Sequence, residues 1–265
     1  MSAALETAGY PALALPQYGV GRIQPGILHG RDPYTGFQRA AGLQMGQTAA
    51  LVDAHPLFQE AMAAAQGRTV VDPHRLKNLF LIIVQGFEAL ESRNVIEFGC
   101  YRGGSLLFFA TLLARLYPEA RVYGLDTFSG MPAADGSVDY HAEGDFNDTS
   151  LESIQEEADR RGLNNITLVK GLVQDTFPVQ IPGQDTFGLA HIDLDIYHPI
   201  RYVQTAVWQR MTPGGYVVYD DATVSTCLGA TQAVEELIHE KNVRSEQIYP
   251  HFVFRAGQPA SGRGV

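Results

Sequence analysis

From Asn94 onward the chain repeats one unit: a short apolar run, a stop at glycine or aspartate, then a helical stretch. NVIEFG (94–99), ARVYGLD ending at Asp126, NITLVKG ending at Gly171, FGLAHIDLD closing near Asp193 and GGYVVYDD closing near Asp220 read as buried strands. Ser105 to Leu116, Ser150 to Arg161 and roughly Tyr197 to Arg210 read as the intervening helices, and Gly229 to Lys241 follows the fifth strand. Strands alternating with helices predict a doubly wound α/β fold with a mostly parallel sheet and helices on both faces. Two further extended stretches, SEQIYP and HFVFRA, bring the expected sheet to seven strands. Upstream, Leu51 to Gln66 and Pro73 to Leu90 carry helical periodicity, with Pro73 suited to a first helical turn. Residues 1–45 lack sustained periodicity and are rich in Gly, Pro, Tyr and Gln, which predicts an irregular N-terminal arm. Residues 46–265 are then expected to form one domain, in which the Gly-, Asp- and Asn-rich segment 133–149 makes a lid-like loop.

Composition narrows the partners more than the fold. With 45% hydrophobic residues in 265, a full core is available. The net charge of −10, with Lys77, Lys170 and Lys241 the only lysines, argues against nucleic acid or an anionic membrane as partner. No apolar run approaches the ~18–20 residues of a membrane span. The N-terminus lacks the basic start of a secretory signal, and Cys100 and Cys227 are too few for a disulfide framework or a zinc cluster. These features together predict a soluble cytoplasmic globular protein, and no more.

The strand ends carry the candidate chemistry. Parallel sheets bind ligands outside the carboxyl ends of their strands, and here those ends bear Glu97 and Gly99, Asp126, Gly171, Asp193, and Asp220 with Asp221. The first turn, Glu97-Phe-Gly99-Cys-Tyr101-Arg-Gly103-Gly104-Ser105, spaces its glycines G-x-x-x-G, unlike a dinucleotide fingerprint, and contains no G-K-[ST] of a phosphate loop. A carboxylate at position 97 would repel a pyrophosphate but suits an ammonium. Asp126, at the second strand end, is placed to hold ribose hydroxyls. Both features favour S-adenosylmethionine, with Glu97, Gly99, Tyr101, Gly103, Ser105, Asp126, Thr127, Gly171 and Asp193 as candidate binding residues. Capping of the following helices by Asp126 or Asp221 is the structural alternative.

Asp193 and Asp195 close the fourth strand, and Asp220 and Asp221 the fifth, so carboxylates converge. Like charges at that range need a cation or shared protons, and hard oxygens favour Mg²⁺, Ca²⁺ or Mn²⁺ over zinc. A cation bound there would lower the pKa of a substrate hydroxyl for a nearby base. If the extended path continues past Asp193, alternation points positions 193 and 195 to the same side.

In order along the chain, VIEFGCYRGGS, GLDTFSGMP, LVKGLVQDTFP, HIDLDIYHP and PGGYVVYDDAT resemble the macrocin and mycinamicin sugar O-methyltransferase family, from about Lys77 to Glu236. That resemblance implies a class I methyltransferase fold, S-adenosylmethionine as methyl donor and a sugar hydroxyl of a natural product as acceptor. It implies Asp193, Asp220 and Asp221 as metal ligands, for which Mg²⁺ is the expected ion, and Asp195 as general base beside Asp193. It also implies Glu97, Gly99 and Asp126 on the cofactor, with Ser129 and Gly130 near the adenosine. A dimer is the expected assembly.

Two alternatives stay open. A catechol-type O-methyltransferase shares the acidic strand ends but commonly uses a lysine base, and no lysine lies between Lys170 and Lys241. A non-catalytic cofactor-binding protein would need no acidic cluster. His191 reads as a core histidine or one that supports the acids from behind, and Tyr249 and His251, where the final extended stretches meet, read as core or edge residues. Tyr197 and His198 open a helix beside the acids, His141 lies in the lid-like segment, Cys100 reads as packing, and Phe108, Phe109 and Trp208 as core.

Overall fold

A computed structural model describes residues 3–13 and 48–257. The repeating unit folds as expected. Strands β1 (Val95–Phe98), β2 (Val122–Asp126), β3 (Ile166–Lys170), β4 (Phe187–Ile192), β5 (Met211–Tyr219) and β6 (Phe252–Arg255) form one sheet in the order 3-2-1-4-5-6. β1 to β5 run parallel, and β6 pairs antiparallel with β5. Among the described residues the sheet therefore has six strands, not seven. The stretch 245–250 contributes only an isolated bridge, Gln247 to Val253, because it turns back within six residues of its partner.

The helices are α1 (Ala3–Thr7), α2 (Pro56–Ala65), α3 (Pro73–Gly86), α4 (Gly104–Leu116), α5 (Leu151–Arg160), α6 (Val173–Gln180), α7 (Tyr197–Trp208) and α8 (Leu228–Lys241). The stretch expected as one helix from Leu51 to Gln66 is two: residues 48–53 are helical, and the chain restarts at Pro56. A proline lacks the N–H to continue a helix but suits its first turn. α6 has no strong periodicity and contains Pro178, which hides it from the sequence pattern. Of the expected N-terminal arm, residues 3–13 are described: α1 buries Leu5 completely, and Tyr10 donates from its hydroxyl to Glu60 over 2.7 Å. Residues 14–45 of that arm lie outside the described residues.

The sheet is apolar on both faces, as a parallel sheet with helices on each side must be. Alternation sends Val95, Val122, Leu189 and Val218 into one core with α2, α3 and α4. Ile96, Phe98, Ala190, Ile192 and Val217 go into the other with α6, α7 and α8. α4 is buried nearly all round. Phe108 and Phe109 are fully buried, and Phe58 meets Phe80 and Phe108 edge-on. Truncation of such an aromatic removes about 3–5 kcal/mol of stability. Trp208 is half-buried against Phe254, with Lys241 over its ring. Among the described residues no helix is long and apolar enough to cross a membrane.

Order 3-2-1-4-5 reverses direction between β1 and β4. A topological switch point of this kind opens a crevice at the strand carboxyl ends.

Candidate active site

The crevice is closed below by the first turn after β1. Gly99 has φ of +87°, and a Cβ there would stand 1.7 Å from the carbonyl oxygen of Asp193, so only glycine lets the two strand ends meet. Asp126, ending β2, holds this turn in place. Its Oδ2 accepts from the backbone N–H groups of Cys100 (2.7 Å) and Tyr101 (2.8 Å), and its Oδ1 from Phe128 N–H (2.7 Å). The sequence assigned Asp126 to ligand hydroxyls. The structure shows that its first task is to organise the loop.

One cavity spans the switch point. Of the residues singled out from the sequence, Gly99, Tyr101, Asp126, Thr127 and Gly130 line one part of it. Asp193, Asp195, Asp220 and Asp221 line the other. Val70, Val71, Met131, Pro132 and Phe146 form much of its apolar wall, and Tyr101 meets Phe146 edge-on at 5.3 Å.

Five other expected residues do not reach the cavity wall. Gly103 caps α4 in a left-handed conformation and packs against Ile154, and Ser105 is buried in the first turn of that helix. Gly171 and Ser129 sit outside the lining. Glu97 lies fully buried behind the Gly99 turn, because its position in β1 faces the α4 side of the sheet. Its Oε1 bonds His191 Nδ1 at 2.9 Å, while Oε2 has no hydrogen-bond partner among the described residues.

The acidic residues converge as the strand ends predicted, with carboxylate oxygens of Asp193, Asp220 and Asp221 within 4.8 Å of one another. Their environments differ. Burial and the charges of Asp220, Asp221 and Asp195 push Asp193 well above the usual carboxylate range. Burial and Asp195 push Asp221 well above it too. Asp220 goes the other way despite its burial, because the hydrogen bond from His251 and the nearby His191 imidazole favour its charge. His251 Nε2 donates to Oδ1 over 2.8 Å, His191 Nε2 lies 3.4 Å from the same atom, and Arg75 pairs with Oδ2. Burial works against a charge on Arg75, but Asp220, Asp221 and Asp193 hold it protonated. Burial works against a charge on His191 as well, but the neighbouring Asp220 carboxylate and the bond to Glu97 raise its pKa to about 9.

Arg75 and the role of His251 were not read from the sequence. Arg75 stands 145 positions from Asp220, in a helix whose visible signal was only its apolar face.

Asp195 reaches the cavity by a route the sequence did not predict. β4 ends at Ile192, and Asp195 has φ of +58°, so a left-handed turn rather than strand alternation aims its side chain. Its backbone N–H donates to Asp221 Oδ2 over 3.0 Å. Burial raises its pKa, opposed by the charge of His141 and by the Cys227 thiol. His141 comes from the 133–149 segment, whose base is pinned by Met131 N–H to Asp145 O (2.7 Å) and Gly144 N–H to Met131 O (2.9 Å). Asp139 of the same segment accepts from Tyr197 N–H at 3.0 Å. His198 is exposed beside Asp135 and does not line the cavity.

Comparison with known proteins places this geometry. Residues 45–248 match the family described as macrocin O-methyltransferase (TylF). Over 190 residues, 67% of the chain, 28% are identical to the 8-demethyl-8-(2,3-dimethoxy-alpha-L-rhamnosyl)-tetracenomycin-C 4'-O-methyltransferase of Streptomyces olivaceus, 71% of which is covered. The mycinamicin III 3''-O-methyltransferase of Micromonospora griseorubida is 26% identical over 184 residues, 65% of this chain and 69% of that one. Among solved structures, the O-methyltransferase NovP superposes with a TM-score of 0.65 at 19% identity, covering 76% of this chain and 88% of NovP. A calicheamicin methyltransferase does so at 0.61 and 23%, covering 90% and 99%. At these identities the structural likeness concerns the fold.

Proposed function

Because the chain belongs to the macrocin O-methyltransferase family, we propose that it moves a methyl group from S-adenosylmethionine to a sugar hydroxyl of a glycosylated natural product, assisted by a divalent cation such as Mg²⁺. The observation that carries this reading is one cavity with a glycine turn and Asp126 on one side and four carboxylates on the other.

On the cofactor side, the Asp126-ordered turn presents Gly99 and Tyr101, with Thr127, Gly130 and Asp193 around it. Glu97 lies behind this turn, where its bond to His191 supports the strand end without lining the cavity. On the acceptor side, Asp193 and Asp221 are candidate cation ligands, and Asp220 joins them while holding Arg75 and His251. The donor set suits a hard cation: three carboxylates, two of them raised by one another's charge and by burial. Such an ion would offset that repulsion and stabilise the acceptor oxygen as its proton leaves.

Asp195, 3.0 Å through its own N–H from Asp221, is the candidate base. It would take the proton of the acceptor hydroxyl as that oxygen receives the methyl group that S-adenosylmethionine would supply. Apolar Val70, Val71 and Met131 suit an aglycone beside the sugar. No lysine lines the cavity among the described residues, so the catechol-type chemistry lacks its base. We read residues 46–265 as one methyltransferase domain, the 133–149 segment as its lid, and a cytoplasmic dimer as the working form.

The test is methyl transfer from labelled S-adenosylmethionine to a panel of glycosides and simple phenols, with and without Mg²⁺. Mg²⁺-stimulated label on a glycoside supports the reading. Label only on phenols, or a thermal shift with NAD and none with S-adenosylhomocysteine, overturns it.

A further inference from the structure

Beside the acidic cluster lies a second group of ligating atoms with a different character. His141 Nε2, Asp195 Oδ1 and Cys227 Sγ are drawn from the 133–149 segment, the turn after β4 and the N-cap of α8. The sulfur is 3.5 Å from the carboxylate oxygen and 3.7 Å from the imidazole nitrogen, and those two atoms are 3.8 Å apart. A tetrahedral ion with bonds of about 2.0–2.3 Å holds its ligand atoms about 3.3–3.8 Å apart. The triangle already has those dimensions.

We propose that His141, Asp195 and Cys227 form a binding site for a borderline transition-metal ion such as Zn²⁺ or Co²⁺, separate from the three-aspartate cluster. Imidazole with thiolate selects such ions over Mg²⁺, which prefers oxygen alone. A second observation supports ligation. His141 Nδ1 lies 3.3 Å from Asp145 Oδ2, so an Nδ1–H donating to that carboxylate leaves Nε2 with its lone pair toward the site. A carboxylate behind an imidazole is the usual outer support of a metal-bound histidine.

Cys227 is buried, with a thiol pushed up by burial and by Asp221 and Asp195. An incoming dication reverses that field. The S–H bond breaks, sulfur takes the metal in place of hydrogen, and one proton leaves to solvent. Three protein ligands leave a fourth position, and Asp195 is on the cavity wall.

The ion would tie the 133–149 segment to the carboxyl end of β4 and the start of α8. If Asp195 is the base, as proposed above, it would also remove that base and inhibit the enzyme. Binding does not depend on that assignment.

The full chain, saturated with Mg²⁺, is titrated with Co²⁺ while near-ultraviolet absorption is recorded. A thiolate-to-cobalt band that saturates at one equivalent and collapses on adding Zn²⁺ is expected. It should be absent from Cys227→Ser and persist in Asp221→Asn. Asp145→Asn, which removes only the outer support, should keep the band with affinity weakened roughly 10–100-fold. No band in the wild-type protein overturns the proposal. So does an equal band in Cys227→Ser, which would place the thiolate at Cys100. Zn²⁺ should inhibit wild type at concentrations at least about tenfold below those needed for Cys227→Ser, each normalised to its own Zn²⁺-free rate. A Cys227-dependent band without inhibition upholds the site and removes Asp195 as base.

Discussion

Gly99 and Asp193 meet backbone to backbone at the switch point: a single added Cβ on residue 99 would fall 1.7 Å from the Asp193 carbonyl oxygen. Cofactor side and acid side of the cavity are therefore one rigid junction. Gly99→Ala forces both a non-glycine residue to φ of +87° and a separation of the two strand ends. The conformational part alone is about 1–2 kcal/mol. A lowered melting temperature together with loss of S-adenosylhomocysteine binding is expected by thermal shift and calorimetry. Wild-type binding in this variant would contradict the junction.

Asp126 should matter through its charge as well as its shape. Asp126→Asn keeps one carbonyl oxygen for the loop but loses the carboxylate that takes N–H groups from Cys100, Tyr101 and Phe128. Hydrogen bonds to a charged group contribute about 1.5–3 kcal/mol. Cofactor affinity is expected to fall by one to two orders of magnitude, roughly the same energy, with the fold retained by circular dichroism. Titration calorimetry reads this directly, and an unchanged affinity would refute it.

The acidic residues should separate by assay. Asp220→Ala leaves Arg75 and His251 without their buried partner, and breaking a buried pair in this way destabilises by about 3–5 kcal/mol. Asp221→Asn instead removes one of several mutually repelling charges. It should spare stability while raising the Mg²⁺ needed for half-maximal rate. Denaturant melts alongside Mg²⁺ titrations decide the matter. Equal losses of stability in the two variants would count against the division.

Asp195→Asn should lower turnover by roughly 10²–10⁴-fold, the range for loss of a general base, with little change in Mg²⁺ requirement. Burial raises the Asp195 pKa, and the carboxylate is the active form. Activity of the wild type should therefore fall, on acidification, at a higher pH than an ordinary carboxylate would give. That acid limb should vanish in Asp195→Asn, whose residual rate should climb with hydroxide. A pH–rate profile of the variant with the wild-type acid limb would assign the limb elsewhere.

Local signals determined much of this protein. Apolar runs ended by glycine or aspartate announced β1 to β5, since strand burial and sharp turns are written within a few residues. For the same reason Gly99, Asp126, Asp193, Asp220 and Asp221 were legible as strand-end residues that the fold brings to one cavity. Tertiary structure alone decided the rest. Arg75 on Asp220, His251 on Asp220 and His141 with Cys227 at Asp195 join residues far apart in the chain, and nothing local marks such pairs. Glu97 looked like a cavity residue because it precedes the glycine turn, yet the pleat of β1 turns it into the core against His191. Asp195 looked like a continuation of β4, yet its backbone turns left-handed. In both cases a single backbone direction sets where the charge lies, and that direction is fixed by the packing of the whole sheet.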